Sequence, residues 1–332
     1  MSPALVQGSE RVFSGIQPSG ASHLGNYLGA QANYVMLQQQ YEALYCIVDL
    51  HALTTVHDGA TLSRLTREMA LDLLAVGLDP DRSALFRQSD VPEHTELSWI
   101  LSTVVPVSWL ERNPTYKDKR QQGVQSSAGL LDYPVLQTAD IVLYKATRIP
   151  VGRDQAPHLE ISREIVRAFS HRYRPIFPEP KPAYTEAPVV LGTDGVAKMS
   201  KSARNTIPIF AEPDELRRIV TGMVTDARRI RRADPGRPEM CNVCQLHRFF
   251  GSDYATIWEG ERTARTGCAD TKQLLADRIL EFFRPMREKR RKLANELDLV
   301  EAVLDAGARR VRSLAVETMH QVREAVGIGP PR

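Results

Sequence analysis

Strand-like and helix-like patterns alternate along the first half of the chain. Phe13-Ser14-Gly15 closes a short strand, after which Leu24, Leu28, Gln31 and Val35 recur at helical spacing and predict a helix over roughly 24–39. The nearly continuous apolar run Ala43–Leu50 reads as a strand buried on both faces. Leu62, Leu65, Met69, Leu73 and Val76 mark an amphipathic helix that stops near Gly77 and Pro80. Ala84–Phe86 gives a third strand, and Leu97, Ile100, Leu101 and Val104 another helix. A strand over Arg148–Val151 leads into a helix through Ile161, Ile165 and Phe169. This alternation predicts a mostly parallel sheet wrapped by helices.

The rhythm breaks at 174–188, "RPIFPEPKPAYTEAP", whose five prolines predict an extended linker. A short strand "VVL", a turn at Thr193-Asp194-Gly195 and the segment "AKMSKSARN" follow. Beyond Pro213 nearly everything reads helical. The pattern therefore predicts an α/β domain joined near 185–195 to a mainly helical one, within the 332 residues of the chain.

Composition changes this picture little. The chain is 42% hydrophobic and 25% charged, as in ordinary globular proteins, and its net charge is +3. No apolar run reaches the length of a membrane span, and "MSPALVQGSERVF" lacks a charged-then-apolar export pattern. Four cysteines in a chain of this length do not suggest a disulfide scaffold, so a cytoplasmic location is expected.

Two loops carry candidate chemistry. "SGIQPSGASHLGN", Ser14–Asn26, places glycines, serines and His23 where a strand gives way to a helix. Backbone N–H groups at such a junction bind phosphate, and His23 and Asn26 add side-chain donors. Gly25 is expected to remove a side chain that would obstruct a nucleotide base or ribose. Alone, the loop reads equally well as an ordinary turn with a surface histidine. The second loop, "KMSKS", Lys198–Ser202, carries two lysines three apart. They can stabilise negative charge developing on a departing pyrophosphate.

Together the two loops resemble the paired signatures of class I aminoacyl-tRNA synthetases. "FSGIQPSG", "HLGN", "CIVDLHAL", "LLDYPVLQTADIVLY", "PVGRDQ" and "AKMSKS" are similar, in order and spacing, to the tryptophanyl-tRNA synthetase family. "MVTDARRIRRADPGRPEMCN" and "PMREKR" resemble its helical part, so the likeness covers nearly the whole chain. It implies residues 1–187 as a Rossmann-like catalytic domain and 188–304 as the KMSKS loop with a helical anticodon-binding domain. Residues 305–332 would form a C-terminal helix packing back on the catalytic domain. The implied reaction is ATP- and Mg²⁺-dependent activation of L-tryptophan with release of pyrophosphate, then transfer to tRNA(Trp), by a homodimer.

On a helix from about 133, Tyr133, Gln137, Asp140 and Tyr144 fall on one face at i, i+4, i+7 and i+11. An indole N–H only donates, so a buried Asp140 carboxylate suits it. A phenol could also donate there, so a tyrosine-specific relative stays open on the residues alone. By the same resemblance Phe13, His51, Ile149 and Val151 should wall the indole pocket with Gln137. Tyr133 and Gln155 should hold the α-ammonium. Gln17, Pro18, Ser19, Gly25 and Asn26 should contact ATP, with Gly152, Arg153 and Asp154 against its ribose and Val189 near adenine. Lys198, Met199, Ser200, Lys201 and Ser202 should reach its phosphates. The expected catalytic set is His23, Asn26, Lys198, Lys201 and Lys119.

Three departures stand out. Gln137 replaces a common methionine of the family, and Arg153 a common glutamate. The third concerns a variant of the family that binds an iron–sulfur cluster through four cysteines at positions matching Cys241, Glu261, Cys268 and Thr271. Here only two of those are cysteine. Cys241, Cys244 and Cys268, with His247 close by, would suit a zinc site, but the expectation is that neither metal is held. Basic clusters Arg228, Arg229, Arg231, Arg232 and Arg287, Arg290, Arg291 are candidate tRNA phosphate contacts, though each also reads as a solvated face. Two competing readings are a small-molecule nucleotidyltransferase and a synthetase-like paralogue with a binding or regulatory role.

Overall fold

The computed structural model describes residues 10–121, 127–152, 156–184 and 188–329, with the side chains of Thr115, Lys119 and Gln121 outside the description. In chain order the elements are β1 (Arg11–Ile16), α1 (Leu24–Asn26), α2 (Ala32–Leu37), β2 (Glu42–Ile47), α3 (Asp49–Ala52), α4 (Gly59–Val76) and β3 (Ala84–Arg87). Next come α5 (Glu93–Ser102), α6 (Val107–Glu111), α7 (Pro114–Gln121), α8 (Ala128–Val142), β4 (Arg148–Val151), α9 (Ala156–Arg172) and β5 (Lys181–Tyr184). The chain continues through α10 (Pro213–Thr221), α11 (Asn242–His247), α12 (Tyr254–Arg262), α13 (Cys268–Ala294) and α14 (Leu297–Val326). Among the described residues, no helix is long and apolar enough to cross a membrane.

The strands form one parallel sheet in the order β3-β2-β1-β4-β5, a Rossmann-like α/β arrangement with a helical C-terminal region. Phe13 pairs with Leu44, and all six residues of β2 are buried, as a central strand covered on both faces requires. The apolar run after Glu42 ends as strand at Ile47, because Asp49 and Leu50 turn into α3. The proline-rich stretch is not wholly linker. Lys181–Tyr184 pairs with β4 as the outermost strand, where Pro182 is tolerated because an edge has few hydrogen bonds to lose. "VVL" is no strand; it contributes an isolated bridge between Leu191 and Lys198.

The first helix is interrupted. Between α1 and α2 the backbone takes a π-turn over Tyr27–Gln31. Helix α8 starts at Ala128, before the expected 133, because Ser127 caps it by accepting from the Leu130 N–H at 3.1 Å. It ends at Val142, so Tyr144 lies beyond its last turn. Helix α4 stops at Gly77, whose φ of +119° is the left-handed conformation expected of a helix end.

The chain divides into two compact units. The first holds the chain up to Gly20, from Tyr34 into the loop after β5, and from Glu296 onward. The second holds Ala21–Asn33 and the chain from that loop to Asn295. The return to the first unit comes at Glu296, just before α14 begins at Leu297. In the first unit Val311, Ala315, Met319 and Val322 of α14 join Phe13, Leu44 and Phe86 in one core. A Cβ on Gly307 would lie 2.0 Å from the Leu85 carbonyl oxygen. Alanine normally favours a helix over glycine by about 1 kcal/mol, so the contact predicts a reversed sign. Gly307→Ala is expected to destabilise by at least about 2 kcal/mol, read as a lower urea midpoint. In the second unit α10 packs on α13, and Tyr27 meets the Phe283 ring edge-on with centroids 4.8 Å apart.

Candidate active site

In the first unit, a carboxylate sits at the centre of a donor network. Helix α8 carries Asp140 into the core, where it is buried. Its Oδ2 accepts from His51 Nε2 at 2.8 Å. Its Oδ1 accepts from Gln88 Nε2 at 2.7 Å and from His94 Nδ1 at 2.7 Å. Burial alone would raise the acid's pKa, but the bonds from His51 and His94 outweigh it and hold the group well below the usual carboxylate range. Behind His94, Nε2 meets the Tyr144 hydroxyl at 2.7 Å, and the Tyr144 ring stacks on Phe13 with centroids 5.8 Å apart. Ile149 is buried in the same core, Val151 packs against it, and Gln137 is half-buried on α8. Tyr133 donates to Asn113 Oδ1 at 3.1 Å.

His94, Gln88 and Asn113 were not among the expected site residues. The stretch "FRQSDVPEH" looks like an ordinary loop and helix start. Nothing local shows that its Gln and His fold back 52 and 46 residues away onto one carboxylate. Of the ATP-facing positions in this unit, Gln17 and Ser19 are exposed, Pro18 is buried and Gly152 half-buried. Arg153, Asp154 and Gln155, and the side chain of Lys119, lie outside the described residues.

The second unit brings the two signature loops together. His23 caps α1: its Nδ1 accepts from the Asn26 N–H at 3.3 Å, while Asn26 Oδ1 accepts from the His23 N–H at 3.2 Å. The segment is tied to the KMSKS side by Leu24 N–H to the Ile207 carbonyl at 2.9 Å and Gly25 N–H to Met199 Sδ at 3.4 Å. A Cβ on Gly25 would fall 3.1 Å from His23 Nδ1 and 3.4 Å from the Met199 Cβ. The tight approach is to the His23 ring of the same loop, with Met199 at ordinary van der Waals distance. Burial, then the nearby Lys201 charge, push the His23 pKa down to about 4. The ring is therefore neutral near pH 7. With Nδ1 accepting, its proton sits on Nε2, leaving that nitrogen a donor.

Asn205, also absent from the expected set, shapes the KMSKS loop. It accepts from the Ser200 N–H at 2.8 Å and donates to Asp194 Oδ2 at 2.8 Å. Gly192 leaves room for it, since a Cβ there would fall 2.1 Å from Asn205 Cγ. Met199 is buried, Lys198 and Ser202 are exposed, and Ser200 and Lys201 are half-buried. Val189 is 68% exposed.

Residues 7–284 match the family model of tRNA synthetases class I (W and Y). A tryptophan–tRNA ligase of Deinococcus radiodurans is 45% identical over 96% of this chain and 98% of its own length. The chain belongs to the tryptophanyl-tRNA synthetases. The corresponding ligase of Thermotoga maritima is 42% identical over 96% of this chain and 99% of its own. The solved tryptophanyl-tRNA synthetase of Campylobacter jejuni, complexed with ADP and tryptophan, superposes with a TM-score of 0.88 at 37% identity, covering 96% of this chain and all of that one. A tyrosyl-tRNA synthetase from Archaeoglobus fulgidus, 18% identical with a TM-score of 0.66 over 85% of this chain and 90% of its own, shares the fold. The activity of this synthetase is ligation of tryptophan to tRNA.

The synthetase's basic clusters are less available than expected. The Arg229 side chain is buried, ion-paired with Glu261, and donates to the Thr266 carbonyl at 2.6 Å and the Arg232 carbonyl at 3.0 Å. Its guanidinium is therefore engaged within the protein. Arg287 is also buried and donates to the Leu280 carbonyl. Arg291 pairs with Glu212 at 2.7 Å, Arg232 with Asp270 at 3.1 Å, and Arg290 lies over the Phe210 ring at 5.2 Å. Arg228 and Arg231 remain exposed.

Arg229 also reaches the cysteine region. Its guanidinium lies 3.7 Å from Cys268 Sγ, and Thr271 donates to the same Glu261. Among the described residues no group of three or more His, Cys, Asp or Glu side chains is arranged to hold a metal ion. Arg229→Met is expected to cost the synthetase about 3–5 kcal/mol, since it strands a buried carboxylate. Arg229→Met/Glu261→Gln should recover part of that loss, with urea unfolding as the measure.

Proposed function

We propose that the enzyme works in two steps, with tryptophan's own carboxylate as nucleophile. It attacks the α-phosphorus of ATP, pyrophosphate leaves, and the aminoacyl group then passes to a terminal ribose hydroxyl of tRNA(Trp). The observation that carries this reading is the packing of the His23–Asn26 helix start on the KMSKS loop. Neutral His23 offers Nε2–H, Asn26 offers its amide, and Lys198 and Lys201 supply positive charge where it develops on the phosphates. Positioning and charge suffice because the nucleophile is already ionised. ATP arrives as its Mg²⁺ complex. The ion belongs to the substrate.

Asp140 accepts the indole N–H in this reading, and Phe13, His51, Gln137, Ile149 and Val151 enclose the ring. Tyr133 faces the α-ammonium. Gln17, Pro18, Ser19 and Gly152 are ATP contacts in this reading, as are Gly25, Val189, Met199, Ser200 and Ser202. Arg228, Arg231 and Arg232 contact tRNA phosphates. A second copy covers exposed apolar surface such as Trp99, 73% accessible, and Val107, giving a homodimer, and the enzyme acts in the cytoplasm.

Pyrophosphate exchange tests the reading. Exchange is expected with tryptophan and to fall at least 100-fold with tyrosine at equal concentration. Exchange that ignored tryptophan, or failed with both amino acids, would overturn it.

A further inference from the structure

We propose that His94, with Tyr144 behind it, is the positioning residue that aims the last free lone pair of Asp140 at the indole nitrogen. This rests on the reading of Asp140 as the indole acceptor. A carboxylate offers about four acceptor directions, two on each oxygen. Gln88 and His94 take both on Oδ1, and His51 takes one on Oδ2. One Oδ2 direction is left. The two bonds on Oδ1 stop the carboxylate from swinging about its bond to Cβ, so the remaining direction is fixed before substrate arrives.

Each of the Oδ1 donors is itself oriented. Gln88 accepts the Leu50 N–H on Oε1 at 3.2 Å, which turns its amide nitrogen toward Asp140. His94 is fully buried, with Phe86 stacked on one side at 6.3 Å and Tyr144 edge-on at 5.4 Å. Because Asp140 only accepts, His94 must carry its proton on Nδ1. Its Nε2 lies 2.7 Å from the Tyr144 hydroxyl, which can give or take a hydrogen bond there, so it is Asp140 that keeps a proton on Nδ1 while Tyr144 holds the ring in place. A ring that donates completes the set; a ring of the same shape without a donor leaves a desolvated lone pair bare.

The test is tryptophan-dependent pyrophosphate exchange, run with tryptophan and with β-(3-benzothienyl)alanine, which replaces the indole N–H by sulfur. The parent should prefer tryptophan in kcat/KM by at least about 100-fold. His94→Leu should cut that preference at least about 10-fold by weakening tryptophan, with the KM for ATP unchanged. His94→Asn, whose amide N–H can stand in for Nδ1–H, should restore it to within about 3-fold, and Tyr144→Phe should fall between. If His94→Leu does not fold, Tyr144→Phe decides: an unchanged preference overturns the proposal and a several-fold loss supports it. His94→Asn as poor as a folded His94→Leu also overturns it. Asp140→Asn separates the two levels. If it keeps the parental preference, the indole reading itself fails; if it loses the preference while the His94 and Tyr144 variants keep it, only this inference fails.

Discussion

Asp140→Asn is expected to lower kcat/KM for tryptophan by roughly 10²–10³-fold while leaving the KM for ATP near its parental value. The amide keeps the size but loses the charge and half of the acceptor directions. Three donors point at the native group, from His51, Gln88 and His94, and an asparagine presents its own N–H to at least one of them. An unpaired buried donor costs about 1–3 kcal/mol, and the bond to the substrate is weakened besides. Pyrophosphate exchange with varied tryptophan measures the loss. Unchanged kinetics would mean that tryptophan does not reach this carboxylate. The low pKa of Asp140 adds a stability consequence with a definite sign. Its stabilising contribution is complete above the ordinary carboxylate range and is lost only as pH falls through that range and below it. The parent should therefore lose stability in acid more steeply than Asp140→Asn.

The double substitution Lys198→Ala/Lys201→Ala should have a larger effect, a fall of about 10³–10⁵-fold in pyrophosphate exchange. A single donor to developing charge is worth about 10²–10³-fold, and two cations on one leaving group act together. Tryptophan KM should change little, because these charges matter chiefly in the transition state. Parental rates in the double variant would remove the basis of the proposed mechanism. Lys201→Ala alone also predicts a titration shift. Lys201 is one of the two influences that lower the His23 pKa to about 4, the other being burial. Removing its charge should move the His23 midpoint upward, toward but not up to its ordinary value, as followed by NMR of the ring protons.

The parallel sheet was legible because its central strands are apolar runs that need no distant information. The outermost strand was not, because Pro182 reads as linker until Lys181–Tyr184 is seen beside β4. The nucleotide loops could be read because their chemistry is local: glycines, a histidine and two lysines at short spacing. Asp140 was visible from its place on a helix face, but its three donors come from α3, the turn after β3, and α5. Charge was the most misleading signal. Arg229 and Arg287 looked like solvent-facing cations, but the fold buries both and gives them protein acceptors. A run of arginines does not reveal which of its members turns inward.

The margins of the sheet have a consequence for the newly made or damaged chain. One margin, β5, contains a proline with no N–H to offer a further strand. The opposite margin, β3, is protected by α14, which is synthesised after the strand it covers. A polypeptide stalled or cut before Leu297 would carry every signature loop yet expose a pairing edge, and would be prone to self-association and clearance by quality control.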